Sequence, residues 1–353
     1  MKPRCTCHSC GYTPERILAL RGRLDAAAAA DRSRPDPLRG LKVALTVDDL
    51  FLWKGIPWPD GYSPRSVADE LLRVFDRLHL PGIYAFTATA PAADDARLLD
   101  IFDAWLAAGH HVGNHTHFHS NLNWVSADGY IRDIERGEAD VARWLGHAPT
   151  RYFRYGQDGW GNTPEKFDRV GTWLRDHDYR VAPISAWFYD TEFIAPHLRC
   201  LRCGDAEALA TVRDAYVDTA LRQLRDHARL AGLTAGRTPP LVFLVHATPL
   251  AQDCAGRLVE ELLAAGVEFI GLDEAMRDPF NRDDPGLVTD RFLNKTQKWG
   301  VDRDLRLEDC PPAILHALDG LHPLAGPTTQ QMMTRIFEPI AREVGGTYLI
   351  KKY

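Results

Sequence analysis

The stretch LKVALTVDD, residues 41–49, reads as a buried strand that ends in two acidic residues. Its aliphatic and β-branched residues form a short apolar run of the length expected for a strand. If the end of this strand were buried as core, the carboxylates of Asp48 and Asp49 would lack polar partners. Alone, the Asp-Asp pair favours a strand end that turns into a capped loop, and a catalytic role for the two acids depends on the motifs that follow.

Six more strand-like runs follow, and amphipathic helical stretches separate them. The predicted strands lie in GIYAFTATA, HHVGNH, RYFRYG, YRVAPIS, PPLVFLVHAT and VEFIGLDEA. Seven strand-then-helix units in succession predict a parallel sheet of the α/β class, because parallel neighbours need crossover connections. Since polar residues collect at several strand ends, a distorted (β/α)7-type barrel fits better than an open sheet.

The same periodicity locates the helices. We predict helices over 63–80 (capped by Ser63 or Ser66), 94–109, 126–146 (capped by Ser126), 164–177, 205–230, 254–266 and 330–345. Residues 1–40 are rich in Ala and Arg and are interpreted as an N-terminal helical extension with a proline-broken linker. We place the barrel at 41–278 and a C-terminal extension at 279–353, whose first twenty residues read as loop.

Composition excludes several classes of function. The 353-residue chain has a formal net charge of −6, and its Lys and Arg residues are scattered among acids. Binding to nucleic acid or to an anionic membrane is therefore not expected. The N-terminus lacks the apolar region of a secretory signal, and no run of apolar residues is long enough to span a bilayer, so we expect a cytoplasmic protein. A homo-oligomer is left open.

Polar residues of unusual kinds follow four of the predicted strands. The strand ends read TVDD at 46–49, GNHTHFH at 113–119, FRYG at 153–156 and LVH at 244–246. In a barrel these ends meet on one face. One carboxylate and two imidazoles are a common three-ligand set for a catalytic metal, and a second carboxylate and a third imidazole can transfer protons.

These motifs resemble those of the polysaccharide deacetylases, carbohydrate esterase family 4, also called the NodB-homology domain. TVDD is similar to the family's T-F-D-D motif, and HTHFH to its H-[S/T]-x-x-H motif. YFRYG resembles the region around F-R-x-P, and FLVH resembles L-x-L-x-H. The resemblance covers roughly residues 40–280, with the motifs in the family's order.

The resemblance implies a role for each matching residue. Asp49, His115 and His119 would bind one divalent metal ion, usually zinc, with cobalt, nickel or manganese as alternatives. Asp48 would be the general base, held by Arg154. His246 would be the general acid, and the backbone N–H of Tyr155 would stabilise the oxyanion.

Two loops depart from the family pattern. The third motif continues with Gly156-Gln157-Asp158-Gly159-Trp160 where the family has proline. The fourth motif, D-x-x-D-W in the family, keeps only Asp190 as a partner for His246. Trp160 and Trp187 in these loops are candidate walls of the substrate pocket. The altered loops leave the substrate open.

The cysteines suggest a second metal site. Cys7 and Cys10 form one C-x-x-C pair, and Cys200 and Cys203 form another. Together the two pairs could bind a structural zinc, although isolated reduced thiols remain the alternative.

From these features we expect a hydrolase that removes an acyl group, most simply N-acetyl, from an amino sugar or a related small or oligomeric substrate. Hydrolysis of another carbon–nitrogen bond, such as a cyclic amide or imide, is a second hypothesis. A non-catalytic, metal-containing carbohydrate-binding protein is the third.

Overall fold

The computed structural model describes residues 36–301, 303–305, 307 and 312–350. Its strands are β1 (Lys42–Asp48), β2 (Tyr84–Thr87), β3 (His111–Asn114), β4 (Tyr152–Phe153), β5 (Arg180–Val181), β6 (Leu241–His246) and β7 (Glu268–Phe269). The helices that follow the first five strands are α1 (Pro64–Arg77), α2 (Asp100–Ala107), α3 (Ala127–Leu145), α4 (Pro164–Asp176), α5 (Ile194–Cys203) and α6 (Ala206–Ala235). The remaining helices are α7 (Pro249–Ala264), α8 (Leu272–Ala275), α9 (Pro279–Arg282), α10 (Lys295–Val301), α11 (Pro312–Asp319) and α12 (Thr329–Glu343).

All pairings between these strands are parallel, in the order β5-β4-β3-β2-β1-β6, and β7 pairs with the start of β1. The segment after β5 then joins the two edges. The Ala182 N–H donates to the Phe153 carbonyl of β4, whereas the N–H groups of Ser185 and Ala186 donate to the Val242 carbonyl of β6. The sheet thus curls into a distorted barrel, and the predicted α/β class and (β/α)7-type barrel are confirmed.

Several helices begin and end where the sequence places them. Ser63 and Ser66 form a reciprocal capping box at the start of α1, and the Ser126 hydroxyl caps α3. Two other helices are longer than predicted. Helix α7 begins five residues earlier because Thr248 caps it and Pro249 suits its first turn. Helix α6 continues to Ala235 and ends before Gly236, which has a φ of 68°.

The residues after Asp278 were predicted to begin as a loop, and this was wrong for two short helices, α9 and α10. The Asp278 side chain caps α9 by accepting from the Phe280 N–H. The chain then returns over the carboxyl ends of the strands, where Phe337 of α12 contacts the ring of Trp53. The domain limits at 40 and 278 stay predictions, and the N-terminal helical extension lies outside the described residues.

Helix α3 determines the position of the loop that follows β3. The Asp133 carboxylate accepts from the N–H of Phe118 and from the hydroxyl of Ser120. One turn further along the helix, Gly137 lies so close to the loop that a Cβ would come within 2.5 Å of the Thr116 carbonyl carbon. The HTHFH segment is therefore held to the helix by hydrogen bonds and by close backbone contact.

Within the described residues, no helix is long and apolar enough to cross a membrane.

Gly137→Ala is expected to displace the HTHFH loop, because a methyl group would overlap the backbone of Thr116 and His117. We expect a loss of about 1–3 kcal/mol in the free energy of unfolding, which is typical of overpacking, measured by urea denaturation. Gly171→Ala on α4 is the control, since its Cβ would only reach the end of Arg175 at 3.5 Å. Equal stability of the two variants would contradict the close packing described here.

Candidate active site

Three of the predicted metal ligands lie together at the carboxyl edge of the sheet. Asp49 follows β1, and His115 and His119 follow β3. Their potential ligand atoms all lie within 4.8 Å of one another, and all three residues are buried. Asp49 Oδ2 is 3.2 Å from His119 Nε2. The structure therefore brings the predicted ligand set into one cluster.

The chemistry of these atoms fits a divalent cation. His115 Nδ1 is 2.8 Å from the carbonyl oxygen of Arg154, so this nitrogen carries the proton and Nε2 keeps its lone pair. Among the described residues, neither His115 Nε2 nor Asp49 Oδ2 has a hydrogen-bond partner, although both are buried. Two buried acceptors without donors are expensive in a folded protein, and a cation between them would satisfy both.

The local electrostatics keep the ligands in the forms that bind metal. Burial would raise the pKa of Asp49, but the imidazoles of His119 and His115 hold it well below its usual range. Burial, with the neighbouring His119, lowers the pKa of His115 to about 3. At neutral pH the carboxylate is therefore charged and the imidazole neutral, as metal binding requires.

The backbone at the cluster is strained. Asp49, Thr116 and His119 have φ values of 56°, 65° and 62°, which lie in the left-handed region that residues other than glycine rarely adopt. The Asp49 N–H donates to the Phe86 carbonyl, and the His119 N–H donates to the Thr116 hydroxyl. Strain of this kind persists when the surroundings hold it in place, and it is concentrated at functional sites.

Asp48, the predicted base, lies beside the cluster and pairs with Arg154. Arg154 Nη1 is 2.6 Å from Asp48 Oδ1 and 2.8 Å from the hydroxyl of Thr46, and both members of the pair are buried. Burial raises the pKa of Asp48 to about 6, although the guanidinium of Arg154 opposes the rise. The other Asp48 oxygen is 3.8 Å from His115 Nε2. Asp48 is thus an ionised carboxylate at neutral pH with a pKa suited to accepting a proton.

His246, the predicted acid, ends β6 and is paired with Asp190. Asp190 Oδ1 is 2.8 Å from His246 Nδ1, and Oδ2 accepts from the His246 backbone N–H. Burial lowers the pKa of His246, but the carboxylates of Asp190, Asp48 and Asp49, with the largest effect from Asp190, outweigh this and raise the pKa to about 8. The expected contact between Asp190 and His246 is therefore present. Asp190 is the one carboxylate that the altered fourth motif keeps.

Asp48, His119 and His246 line one small cavity of about 40 Å³, and four of its eight other lining residues are aromatic. Trp187, a predicted wall, lines it and stacks on Phe292 with ring centres 4.2 Å apart. Trp53 also lines it, with its ring 5.4 Å from that of His119 and 5.8 Å from that of His246.

Tyr155 and Trp160, which belong to the third motif, line a different cavity from Trp187. Tyr155 stacks against Trp160, and both residues line a neighbouring cavity, so the role of Trp160 as a wall of the substrate pocket stays a prediction. Gln157, between them in sequence, does line the catalytic cavity and has a φ of 52°. The role of the Tyr155 N–H as an oxyanion donor stays a prediction.

Sequence reasoning missed four residues that shape the site. Trp53, four positions after Asp49, could have been found from its place next to the first motif. Phe292 and Phe337 lie in the C-terminal extension, and nothing in the sequence connects them to the strand ends. Asp133, which organises the HTHFH loop, looks like an ordinary charged residue of an amphipathic helix.

The structure describes only two of the four cysteines of the proposed zinc site. Cys7 and Cys10 lie outside the described residues. Cys200 is buried in α5, where burial raises the pKa of its thiol to about 12, and Cys203 ends the same helix. A structural zinc at these four residues stays a prediction.

Comparison with known families gives an independent result for part of the chain. Residues 37–168 match the family model described as polysaccharide deacetylase. The predicted resemblance is confirmed. The matched segment includes Asp48, Asp49, His115, His119 and Arg154, whereas Asp190 and His246 lie beyond it.

Solved structures of family 4 carbohydrate esterases are similar to this chain at low identity. A mutant of a pseudoenzyme of this family from Bacillus anthracis, with restored enzymatic activity, shares 15% identity, with 67% of this chain and 68% of that chain covered and a TM-score of 0.47. Bacillus subtilis PdaA shares 16%, with 67% and 81% covered and a TM-score of 0.42. The catalytic domain of a peptidoglycan N-acetylglucosamine deacetylase from Eubacterium rectale shares 14%, with 66% and 89% covered and a TM-score of 0.45. A search of curated proteins gives no match.

Asp190→Asn is expected to lower the pKa of His246 from about 8, because burial is then opposed only by the more weakly acting carboxylates of Asp48 and Asp49. The pKa can be measured by NMR titration of the imidazole before metal is added. The raised pKa also means that the Asp190–His246 pair stabilises the fold fully below about pH 6.5, and that this contribution is lost as the pH rises through about 8.

The control is Asp140→Asn, since Asp140 pairs with a different histidine, His117. It should leave the pKa of His246 unchanged. An unchanged pKa of His246 in Asp190→Asn would show that Asp190 does not tune this group.

Proposed function

We propose that this chain is a metal-dependent hydrolase that removes an acyl group, most simply N-acetyl, from the nitrogen of an amino sugar or a related small substrate. The observation that carries the proposal is the buried cluster of Asp49, His115 and His119, with Asp48 and His246, the candidate proton acceptor and donor, beside it. The match of residues 37–168 to the polysaccharide deacetylases supports it.

Asp49, His115 and His119 would hold the ion. When bound, a divalent metal lowers the pKa of water and polarises a carbonyl group, which makes hydrolysis feasible at neutral pH. Zinc suits one carboxylate and two imidazoles, and cobalt, nickel or manganese can use the same donors.

The remaining steps belong to residues of the chain. Asp48 accepts the proton of the attacking water, and Arg154 keeps the Asp48 carboxylate ionised and fixed in orientation. His246, protonated because of Asp190, donates a proton to the leaving nitrogen as the carbon–nitrogen bond breaks. The two proton-transfer groups lie on neighbouring strands, where Asp48 of β1 is directly paired in register with His246 of β6.

Substrate size follows from the cavity walls. Trp53, Trp187, Phe292 and Phe337 surround the reactive groups, and the cavity between them is about 40 Å³. Such a space accepts an acetyl group or one edge of a ring, but not a stretch of polysaccharide, while these side chains stay in place. We therefore propose a small substrate. Hydrolysis of a cyclic amide or imide is the second candidate, because a compact ring also fits apolar walls.

Asp48→Asn keeps the shape of the side chain but removes the proton acceptor. We expect turnover of an N-acetylated amino sugar, measured as acetate release, to fall by about 100-fold or more, with the bound metal retained. Asp69→Asn, at an exposed carboxylate of α1, is the matched control and should keep full activity. Unchanged turnover in Asp48→Asn would falsify the assigned mechanism. If the wild type binds metal and sugar but releases no acyl group or ring-opened product, the binding-protein hypothesis gains.

Phe292→Ala removes one half-buried aromatic wall and should admit longer substrates. We expect the ratio of kcat/KM for an acetylated chito-tetraose to that for N-acetylglucosamine to rise by about tenfold. Phe269→Ala, a half-buried phenylalanine of β7 near the opposite end of the barrel, is the control and should leave the ratio unchanged. Equal efficiency of the wild type on both substrates would show that the aromatic walls do not limit substrate length.

A further inference from the structure

A second cavity, of about 410 Å³, lies beside the catalytic one and shares no lining residue with it. The segment 155–160 separates the two, since Gln157 lines the catalytic cavity while Tyr155 and Trp160 line the second one. This volume is in the range of sites that bind small molecules. The second cavity is called the side cavity below.

One buried lysine at the side cavity, Lys295, has no carboxylate of the described residues at ion-pair distance, although Asp284, Asp158 and Asp283 act on it at longer range and its ammonium lies 5.5 Å from the centre of the Trp160 ring. Lys295 and Lys298 are one helical turn apart on α10, and they are 1% and 3% exposed. Lys298 is paired, since its ammonium is 3.2 Å from Asp158 Oδ2 and also donates to the Asp158 carbonyl. Lys295 donates one hydrogen bond, to the Asn281 carbonyl, and within the described part of the chain no carboxylate forms an ion pair with it.

An ammonium has three N–H donors, and a buried one without an anion is costly. Burial accordingly lowers the pKa of Lys295 to about 8. Lys298, in the same helix and similarly buried, has the Asp158 carboxylate at ion-pair distance, whereas Lys295 has none that close within the described part of the chain. The difference between the two lysines points to an external anion at Lys295, which is a lining residue of the side cavity.

The rim of the side cavity adds to its positive charge. Three arginines, Arg175, Arg180 and Arg282, line it and are exposed to solvent. Two carboxylates, Asp168 and Asp284, also line the cavity, and Arg282 is paired with Asp283, so the four cationic side chains keep a small positive excess. Arginine forks bind carboxylates and phosphates well, so the excess charge favours an anion.

The inner walls are flat and apolar. Tyr155, Trp160 and Tyr179 line the side cavity together with Phe167 and Leu174. Tyr155 and Trp160 are stacked, with ring centres 5.5 Å apart. Aromatic walls of this kind favour a planar, mostly apolar body.

We propose that the side cavity is a second binding site, separate from the metal cluster, for a small organic anion of the aryl carboxylate class. Its planar body packs on the aromatic walls, and its carboxylate interacts with Lys295 and with the arginines at the rim. Nothing in this proposal depends on the hydrolytic function.

The test is isothermal titration of the full-length, metal-loaded protein with 2-naphthoate, and with its neutral counterpart 2-naphthamide. We expect naphthoate to bind at least about tenfold more tightly than naphthamide, because only the anion pairs with the buried ammonium. Lys295→Met should weaken naphthoate binding by about tenfold or more. Arg180→Gln and Arg282→Gln, at exposed positions that do not threaten the fold, should each weaken it several-fold.

Arg169→Gln is the matched control, since Arg169 lies on α4 outside the side cavity and pairs with Asp128. It should bind naphthoate like the wild type. Three results would overturn the proposal: no binding of naphthoate, equal binding of naphthamide, or unchanged binding in the Lys295, Arg180 and Arg282 variants. The last of these would place the probe elsewhere, for instance on the metal ion.

Discussion

The buried ion pair between Arg154 and Asp48 is the interaction on which the rest of the site depends. It joins β4 to β1 through a 2.6 Å contact, and both partners are almost completely buried. The backbone carbonyl of Arg154 accepts a hydrogen bond from His115 Nδ1, and its backbone N–H donates to the carbonyl of Asn114. One residue therefore orients the proposed base and one proposed metal ligand. Removing a single partner from a buried pair leaves an uncompensated charge, typically at a cost of about 3–5 kcal/mol, so stability and chemistry depend on the same contact.

The C-terminal segment contributes residues to the walls of the candidate active site. Phe292 and Phe337 come from residues after the barrel, and they complete the apolar wall that Trp53 and Trp187 begin. Lys298 from the same segment anchors the altered third-motif loop through Asp158. The proposed chemistry thus comes from the strand ends, whereas the proposed limit on substrate size comes mainly from loops and from the C-terminal segment. This division would explain how a match to the polysaccharide deacetylases can accompany the small substrate proposed here.

The fold and the reactive groups could be predicted from the sequence because both depend on local patterns. Apolar runs such as LKVALTVDD fix the strands, and parallel order brings Asp48, His115 and His246 to one edge. The aromatic walls could not be predicted, because Phe337 reaches the site only through the tertiary packing of α12. The left-handed backbone conformation at His119 could not be predicted from the sequence either, because it depends on hydrogen bonds from the HTHFH loop to Thr116 and Asp133. Residues close in sequence to a motif are predictable, and residues brought by long-range packing are not.

The most direct measurement is a zinc titration of the chelator-treated protein, with acyl release from an N-acetylated amino sugar followed at each addition. The account predicts no turnover without metal, a linear rise on adding zinc, and a plateau once each cluster of Asp49, His115 and His119 holds one ion. His119→Ala should stay inactive at the same zinc concentrations, and His117→Asn, whose ring contacts Asp140 and Thr89, should follow the wild type. Full turnover by the metal-free protein, or full activity of His119→Ala, would contradict the account.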